Sequence, residues 1–195
     1  MISIKIKNCS FLVAKLFLIT IAAMFAIACD REGEVPNKFS DKQVSEGEVL
    51  VMEARCNFCH TPELTEDDKY FGKILFGHPY DKKLPDLPNV PVGSQQWMEF
   101  VSNLDSTVWI AGNKVVFSAN ITPDIETGIG SWSKDDFINT IRTGMHPGWK
   151  KKVNKPMPWL DYAKLSNDQL TSIYSYLMSQ QPVHNKVPEP VTIYK

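Results

Sequence analysis

Cys56-Asn57-Phe58-Cys59-His60 puts two thiols three residues apart and an imidazole on the very next position. C-x-x-C-H is the attachment pattern of a c-type haem. The spacing has a physical reason: thiols so placed reach the two vinyl groups on one porphyrin edge. The following imidazole then turns under the ring to meet the iron. A zinc site would need two more ligands at usable spacing, and only His78, His146 and His184 remain, singly placed. A thioredoxin-like C-x-x-C needs a βαβ setting, which this helix-and-loop sequence lacks. A plain disulfide between Cys56 and Cys59 leaves His60 unexplained. The expectation is one covalent haem c, bound by Cys56 and Cys59 with His60 on the metal.

Outward from this motif, the pattern is helical at both ends and irregular between. Ser45 and Glu48 form an S-x-x-E capping box, so a helix is expected from about residue 45. Val49, Leu50, Met52 and Ala54 supply its apolar positions and carry it into Cys56. Between 61 and 121, Pro79, Pro85, Pro88 and Pro91 forbid long helices, leaving room for a short one around 95–104. A second clear helix starts after Ser133, with Asp136 three residues on, and stops at Gly144. Phe137, Ile138 and Ile141 form its apolar face. In the third helix, Ser166 and Gln169 cap a run in which Leu170, Ile173, Tyr174 and Leu177 recur at i, i+3, i+4 and i+7. The predicted class is all-α with long loops. A cytochrome domain is expected over 45–181, followed by an extended tail over 182–195 that wraps the surface.

The chain has 195 residues, 43% of them hydrophobic and 22% charged, which suits one globular domain plus a leader. Lys5 and Lys7 open a segment whose run from Leu16 to Ala28 carries no charge. That run is shorter than the ~20 residues needed to span a bilayer. Ala26-Ile27-Ala28 offers small residues where a signal peptidase reads, so 1–28 is expected to be a signal peptide. Cleavage there would leave Cys29 first, which resembles the lipobox of bacterial lipoproteins, although Ala26 stands where leucine is commonest. Cys29 is therefore the expected lipidation site, with 29–44 as a tether. The protein would sit in the periplasm or on the outer face of a membrane, with a freely secreted form as the alternative. With 21 basic and 22 acidic residues, the chain lacks the basic surplus of a nucleic-acid binder.

The sixth iron position decides between electron transfer, which Met/His ligation suits, and gas or peroxide chemistry, which needs an open site. Met52, Met98 and Met178 sit in helical patterns and are expected to pack in the core. Met157 lies in Lys155-Pro156-Met157-Pro158-Trp159, a loop stiffened by two prolines. Preordering a weak thioether ligand lowers the entropy lost on coordination, so Met157 is the expected second axial ligand. Met145 and His146 are the alternatives, and His78 and His184 read as surface residues. Lys150, Lys151, Lys152 and Lys155 flank the Met157 loop, either ringing a docking face or forming a solvated charge run.

The order helix, C-x-x-C-H, variable middle, helix, Met loop and aromatic-bearing last helix resembles the class I cytochrome c superfamily. Asn120-Ile121-Thr122-Pro123-Asp124, Thr127-Gly128-Ile129-Gly130, Trp132, Arg142-Thr143-Gly144, Met157-Pro158-Trp159 and Tyr176-Leu177 narrow the likeness. They are similar to cytochrome modules of membrane-bound alcohol, aldehyde and gluconate dehydrogenases, over roughly residues 45–188. The resemblance implies a cytochrome c-like fold around one haem, with Cys56 and Cys59 as thioether sites and His60 and Met157 as axial ligands. It also implies that the terminal helices cross, with Gly47 close to Tyr174 or Tyr176. Asn120, Trp132 and Trp159 would line the haem or bond its propionates, or else serve as core or turn residues. Those dehydrogenase subunits usually string several modules together, whereas this chain has one. The G-P-x-L-G stretch whose carbonyl orients the axial imidazole is missing, so another acceptor must hold His60. The implied role is single-electron transfer, not catalysis, with a dehydrogenase, a bc-type complex or a terminal oxidase as redox partner. A peroxidase-like or gas-binding haem protein with a displaceable sixth ligand is the alternative.

Overall fold

The computed structural model describes residues 39–149 and 151–193. The expected signal peptide 1–28, the lipidation site Cys29, the tether up to residue 38, and Lys150 lie outside the described residues.

Helix α1, Asp41–Glu53, starts earlier than the Ser45–Glu48 pattern suggested. Ser40 is the actual cap, its hydroxyl accepting from the Gln43 amide at 3.3 Å, and Asp41 places a negative charge in the first turn. Residues 41–44, expected in the tether, are therefore helical. Two short helices follow: α2, Cys56–His60, and, after a long irregular stretch, α3, Gln95–Ser102. Helix α4, Lys134–Thr143, has the expected ends. Ser133 and Asp136 cap each other reciprocally, and Gly144 closes the helix at φ 67°. A short α5, Trp159–Tyr162, precedes α6, Asn167–Ser179, where Ser166 and Gln169 form the same reciprocal box.

The main core lies where α1, α4 and α6 meet. Val51, Phe137, Ile141, Leu170, Ile173, Tyr174 and Leu177 pack there with Leu75 and Ile129 from the loops. Helix α1 crosses α6 at Gly47, because nothing larger fits: a Cβ there would lie 1.9 Å from the Ser172 carbonyl oxygen. It would also lie 2.8 Å from the Cβ of Tyr176, so Tyr176, not Tyr174, is the aromatic at the crossing. Tyr174 instead donates its hydroxyl to the Trp132 carbonyl at 2.7 Å.

The body is helical as expected, with one addition. Strands β1, Val108–Ala111, and β2, Lys114–Phe117, form an antiparallel hairpin, and β3, Val191–Thr192, adds to its edge. Ala111 pairs with Lys114 across the two-residue turn Gly112-Asn113, and Gly112 takes the positive φ of 64° that such a tight turn needs. The tail does more than wrap the surface, since Val183 and Asn185 are buried. Asn185 donates to the carbonyls of Phe76 (2.7 Å) and His78 (2.9 Å) and accepts from the Tyr80 amide (2.9 Å). One side chain of the tail thus organises the backbone of the long middle loop. Among the described residues, no helix is long and apolar enough to cross a membrane.

Candidate haem site

The site begins where α1 stops. Arg55 sits at φ 55°, ψ 33°, in the left-handed region, which breaks α1 and restarts the chain as α2 in a new direction. That single turn carries Cys56, Cys59 and His60. Both cysteines are free and half-buried. Burial, and next the charge of Cys59, pushes the Cys56 thiol up to about 11; burial also raises Cys59. Disulfide oxidoreductases lower such a pKa to make a nucleophile, so the electrostatics here are the reverse of a thioredoxin-like pair.

His60 is buried, and its Nδ1 lies 2.7 Å from the carbonyl oxygen of Ala119. Burial holds the imidazole below its usual pKa, with the Ala119 bond opposing, so the ring is neutral. With Nδ1–H donating to a carbonyl, the lone pair sits on Nε2, the tautomer a metal requires. Ala119 is the acceptor that the missing G-P-x-L-G stretch left unassigned.

The Ala119 carbonyl is itself held in place. Residues 75–78 run beside 118–121, through His78 N–H to Ser118 O (3.0 Å) and Ile121 N–H to Leu75 O (2.9 Å). Gly77 N–H donates to the His60 carbonyl at 2.8 Å, so the same segment grips the histidine from both sides. At Gly77 (φ +74°) a Cβ would lie 2.3 Å from Ser118 O and 2.6 Å from Ala119 O. Two neutral thiols on one turn, beside an imidazole with its far nitrogen free, fit a covalently attached haem. Among the described residues, no group of three or more His, Cys, Asp or Glu could hold a bare metal ion.

Comparison with known proteins finds dehydrogenase subunits. No family model matches the chain. It is 36% identical over 73 residues to a nicotinate dehydrogenase subunit of Pseudomonas putida, covering 37% of this chain and 6% of that one. It is 36% identical over 77 residues to the cytochrome c subunit of alcohol dehydrogenase (quinone) of Gluconobacter oxydans, covering 38% and 16%. With the gluconate 2-dehydrogenase cytochrome c subunit of Pantoea cypripedii, identity is 27% over 139 residues, covering 71% and 23%. The chain is related to dehydrogenase cytochrome c subunits. Its helical body is the cytochrome c-like fold, and the chain spans less than a quarter of each relative's length.

Several side chains of this cytochrome c-like chain are not where the sequence suggested. Met52 and Met98 are exposed, at 58% each, not core; Met52 sits on the outer face of α1, its sulfur accepting from the Asn57 amide at 2.8 Å. Met178 does pack against the core. His78 is buried at 2% exposure, not on the surface. Its Nδ1 meets Thr107 Oγ1 at 2.8 Å, and Thr107 in turn donates to Asp105. His184 is exposed as expected, 3.6 Å from Asp124.

Met157 is half-buried against the main core. It also lines an open, mostly apolar cavity of about 390 Å³ with Ile110, Ala111, Trp159 and Leu160. The loop is folded back on itself by Met157 N–H to Asn154 O at 3.2 Å. Trp159 is fixed behind it, since a Cβ on Gly144 would lie 2.5 Å from its indole. Of the alternatives, Met145 is bridged through its backbone to Lys152. The His146 ring stands edge-on to Trp132 at 5.6 Å.

Asn120 is a turn residue. Its amide donates to Val183 O (2.8 Å) and Thr127 Oγ1 (3.0 Å), and its oxygen accepts from Thr122 N (3.0 Å). With its donors spent inside the fold, it has none for a propionate. Lys151 is partly neutralised by Glu189 at 3.3 Å, which favours a solvated charge run at that position. Tyr162 is a residue that sequence patterns did not single out. Burial first, and then the neighbouring Cys56 and Cys59 groups, raise its phenol to about 12.

Proposed function

We propose that this chain carries one haem c and passes single electrons within a dehydrogenase-linked or respiratory chain. Cys56 and Cys59 would hold it through thioethers, and His60 Nε2 and Met157 Sδ would ligate its iron. The haem, when bound, supplies an iron that takes up and returns one electron. The protein's part is to orient the His60 ring through Ala119, to present a soft sulfur from a stiff loop, and to exclude water with the surrounding apolar side chains. No nucleophile or proton relay is needed, so the role is carrier and not enzyme. We further propose export of the chain and anchoring through acylated Cys29 on the outer membrane face or in the periplasm, where a dehydrogenase is the first-choice donor.

The observation that carries this reading is the His60 Nδ1–Ala119 carbonyl pair at 2.7 Å, beside two free thiols on one helical turn. The test is expression in a host able to attach haem. The product should be red, carry the mass of one haem, and show a weak near-red sulfur-to-iron band when oxidised. Cys56→Ser should reduce attachment, and Met157→Ala should abolish the band. Colourless protein would end the proposal. Rapid, tight carbon monoxide binding by the reduced wild type would instead favour a gas-binding or peroxidase-like site.

A further inference from the structure

Two stretches far apart in sequence, one following Met157 and one leading into Cys56, are joined by one hydrogen bond. Tyr162 closes α5, five positions after Met157, and its hydroxyl donates to the Ala54 carbonyl at 2.7 Å. Ala54 is the C-cap of α1, two residues before Cys56. We propose that Tyr162 is a positioning residue that clasps the Met157 loop to the attachment helix and would set where the Met157 sulfur stands toward a bound haem. The inference rests on the proposed ligation by Met157.

The stretch from Met157 to Tyr162 has few other fastenings. At its start, Trp159 lies against Gly144. Just past its end, Arg142 bonds the Ala163 carbonyl, and a second guanidinium nitrogen reaches Asn167 Oδ1 at 2.8 Å. Both of these tie the loop to α4 or α6. Among the described residues, the Tyr162 hydroxyl makes the hydrogen bond that ties 154–163 to α1 and α2, while the others stay local or run to Arg142. The receiving end is also a determinate one. The Ala54 amide bonds Leu50 O (2.9 Å), the Arg55 amide bonds Met52 O (3.0 Å), and the Phe58 amide bonds Arg55 O (3.1 Å). With Arg55 held left-handed, a movement of Ala54 is passed directly to the thiol-bearing turn. Tyr162 therefore couples the Met157 loop to the frame of the turn that carries Cys56, Cys59 and His60.

The test compares holoprotein variants Tyr162→Phe and Tyr174→Phe. Tyr174 makes a hydroxyl-to-carbonyl bond of the same 2.7 Å length, to Trp132, so its loss matches the general cost without touching the clasp. Tyr162→Phe should speed imidazole uptake by oxidised protein about three- to tenfold, the range for losing one net hydrogen bond, and weaken the near-red band. Tyr174→Phe should leave both close to wild type. Equal effects of the two variants, or none from Tyr162→Phe, would overturn the proposal. If wild type lacks the band, or Met157→Ala keeps it, the ligand assignment fails and the clasp falls with it. Should Tyr162→Phe not mature, hydrogen exchange on the wild type gives the same answer. Imidazole should then raise exchange at the Arg55 and Phe58 amides, and unchanged exchange there would overturn the coupling.

Discussion

The Nδ1 of His60 lies 2.7 Å from the carbonyl oxygen of Ala119, a residue 59 positions further along the chain. Gly77 packs against this carbonyl, with no room for a side chain. A backbone oxygen thus performs the task that a neighbouring peptide carbonyl performs elsewhere, and the middle loop is folded to deliver it. Hydrogen bonding at Nδ1 makes the imidazole a stronger donor to a metal and stabilises the oxidised iron.

Gly77→Ala should push the Ala119 carbonyl away from His60, since the new Cβ would start 2.6 Å from that oxygen. The imidazole then becomes a weaker donor, and the reduction potential should rise. A spectroelectrochemical titration of the holoprotein reads this directly. An unchanged or lower potential would count against the role given to Ala119.

Gly47→Ala should destabilise the chain by about 1–3 kcal/mol or more, the usual cost of overpacking. The contact at 1.9 Å is with a backbone oxygen of α6, which cannot rotate away. Denaturant unfolding monitored by helical circular dichroism would show a lower midpoint. A midpoint equal to wild type would mean that the helices do not cross here.

Asn185→Ala should cost about 2–5 kcal/mol, because three backbone groups lose their partner inside the fold. The damage should concentrate in the middle loop around residues 76–80. Limited proteolysis should show earlier cleavage there, while α4 and α6 keep their helical signal. Cleavage no faster than in wild type would contradict the assignment.

Acid should destabilise the protein in two steps. His78 is held below 6.5, chiefly by burial and against a hydrogen bond from its ring to the Lys82 carbonyl. Burial alone would raise Asp105, yet hydrogen bonds from Lys82 and Thr107 outweigh it and hold the carboxylate below 3.8. The unfolded chain therefore takes up both protons more readily than the folded one. Stability should fall as pH drops below about 6.5, and again below about 3.8. His78→Gln should shrink the first step and Asp105→Asn the second, as read by urea midpoints across pH. His146 is lowered too, by burial and then by Lys151, so the first step should persist in part. A profile unaltered by either variant would refute this account.

Much of the helical frame was legible in the residues themselves. Ser133 with Asp136, Gly144, and Ser166 with Gln169 mark helix ends through local chemistry, and all stand where expected. The start of α1 was not so readable, because Ser40 and Ser45 both make plausible caps. Which one serves depends on where α1 lies along α6. The hairpin leaves no alternation in the sequence, because 108–111 and 115–117 are apolar throughout, although Gly112-Asn113 is a turn signal. His78 read as a surface residue because its partners Thr107 and Lys82 are joined to it only in the folded chain.

The candidate chemistry is written in the local order of residues, since Cys56, Cys59 and His60 are neighbours and their spacing alone suits a porphyrin edge. Folding supplies everything that supports them: the Ala119 carbonyl behind His60, the Asn185 brace, and the Tyr162 bond to Ala54. The difference is one of range. A spacing within one helical turn is set by local geometry, whereas a carbonyl, hydroxyl or side-chain amide brought from 59 to 109 residues away leaves no periodic trace in the chain.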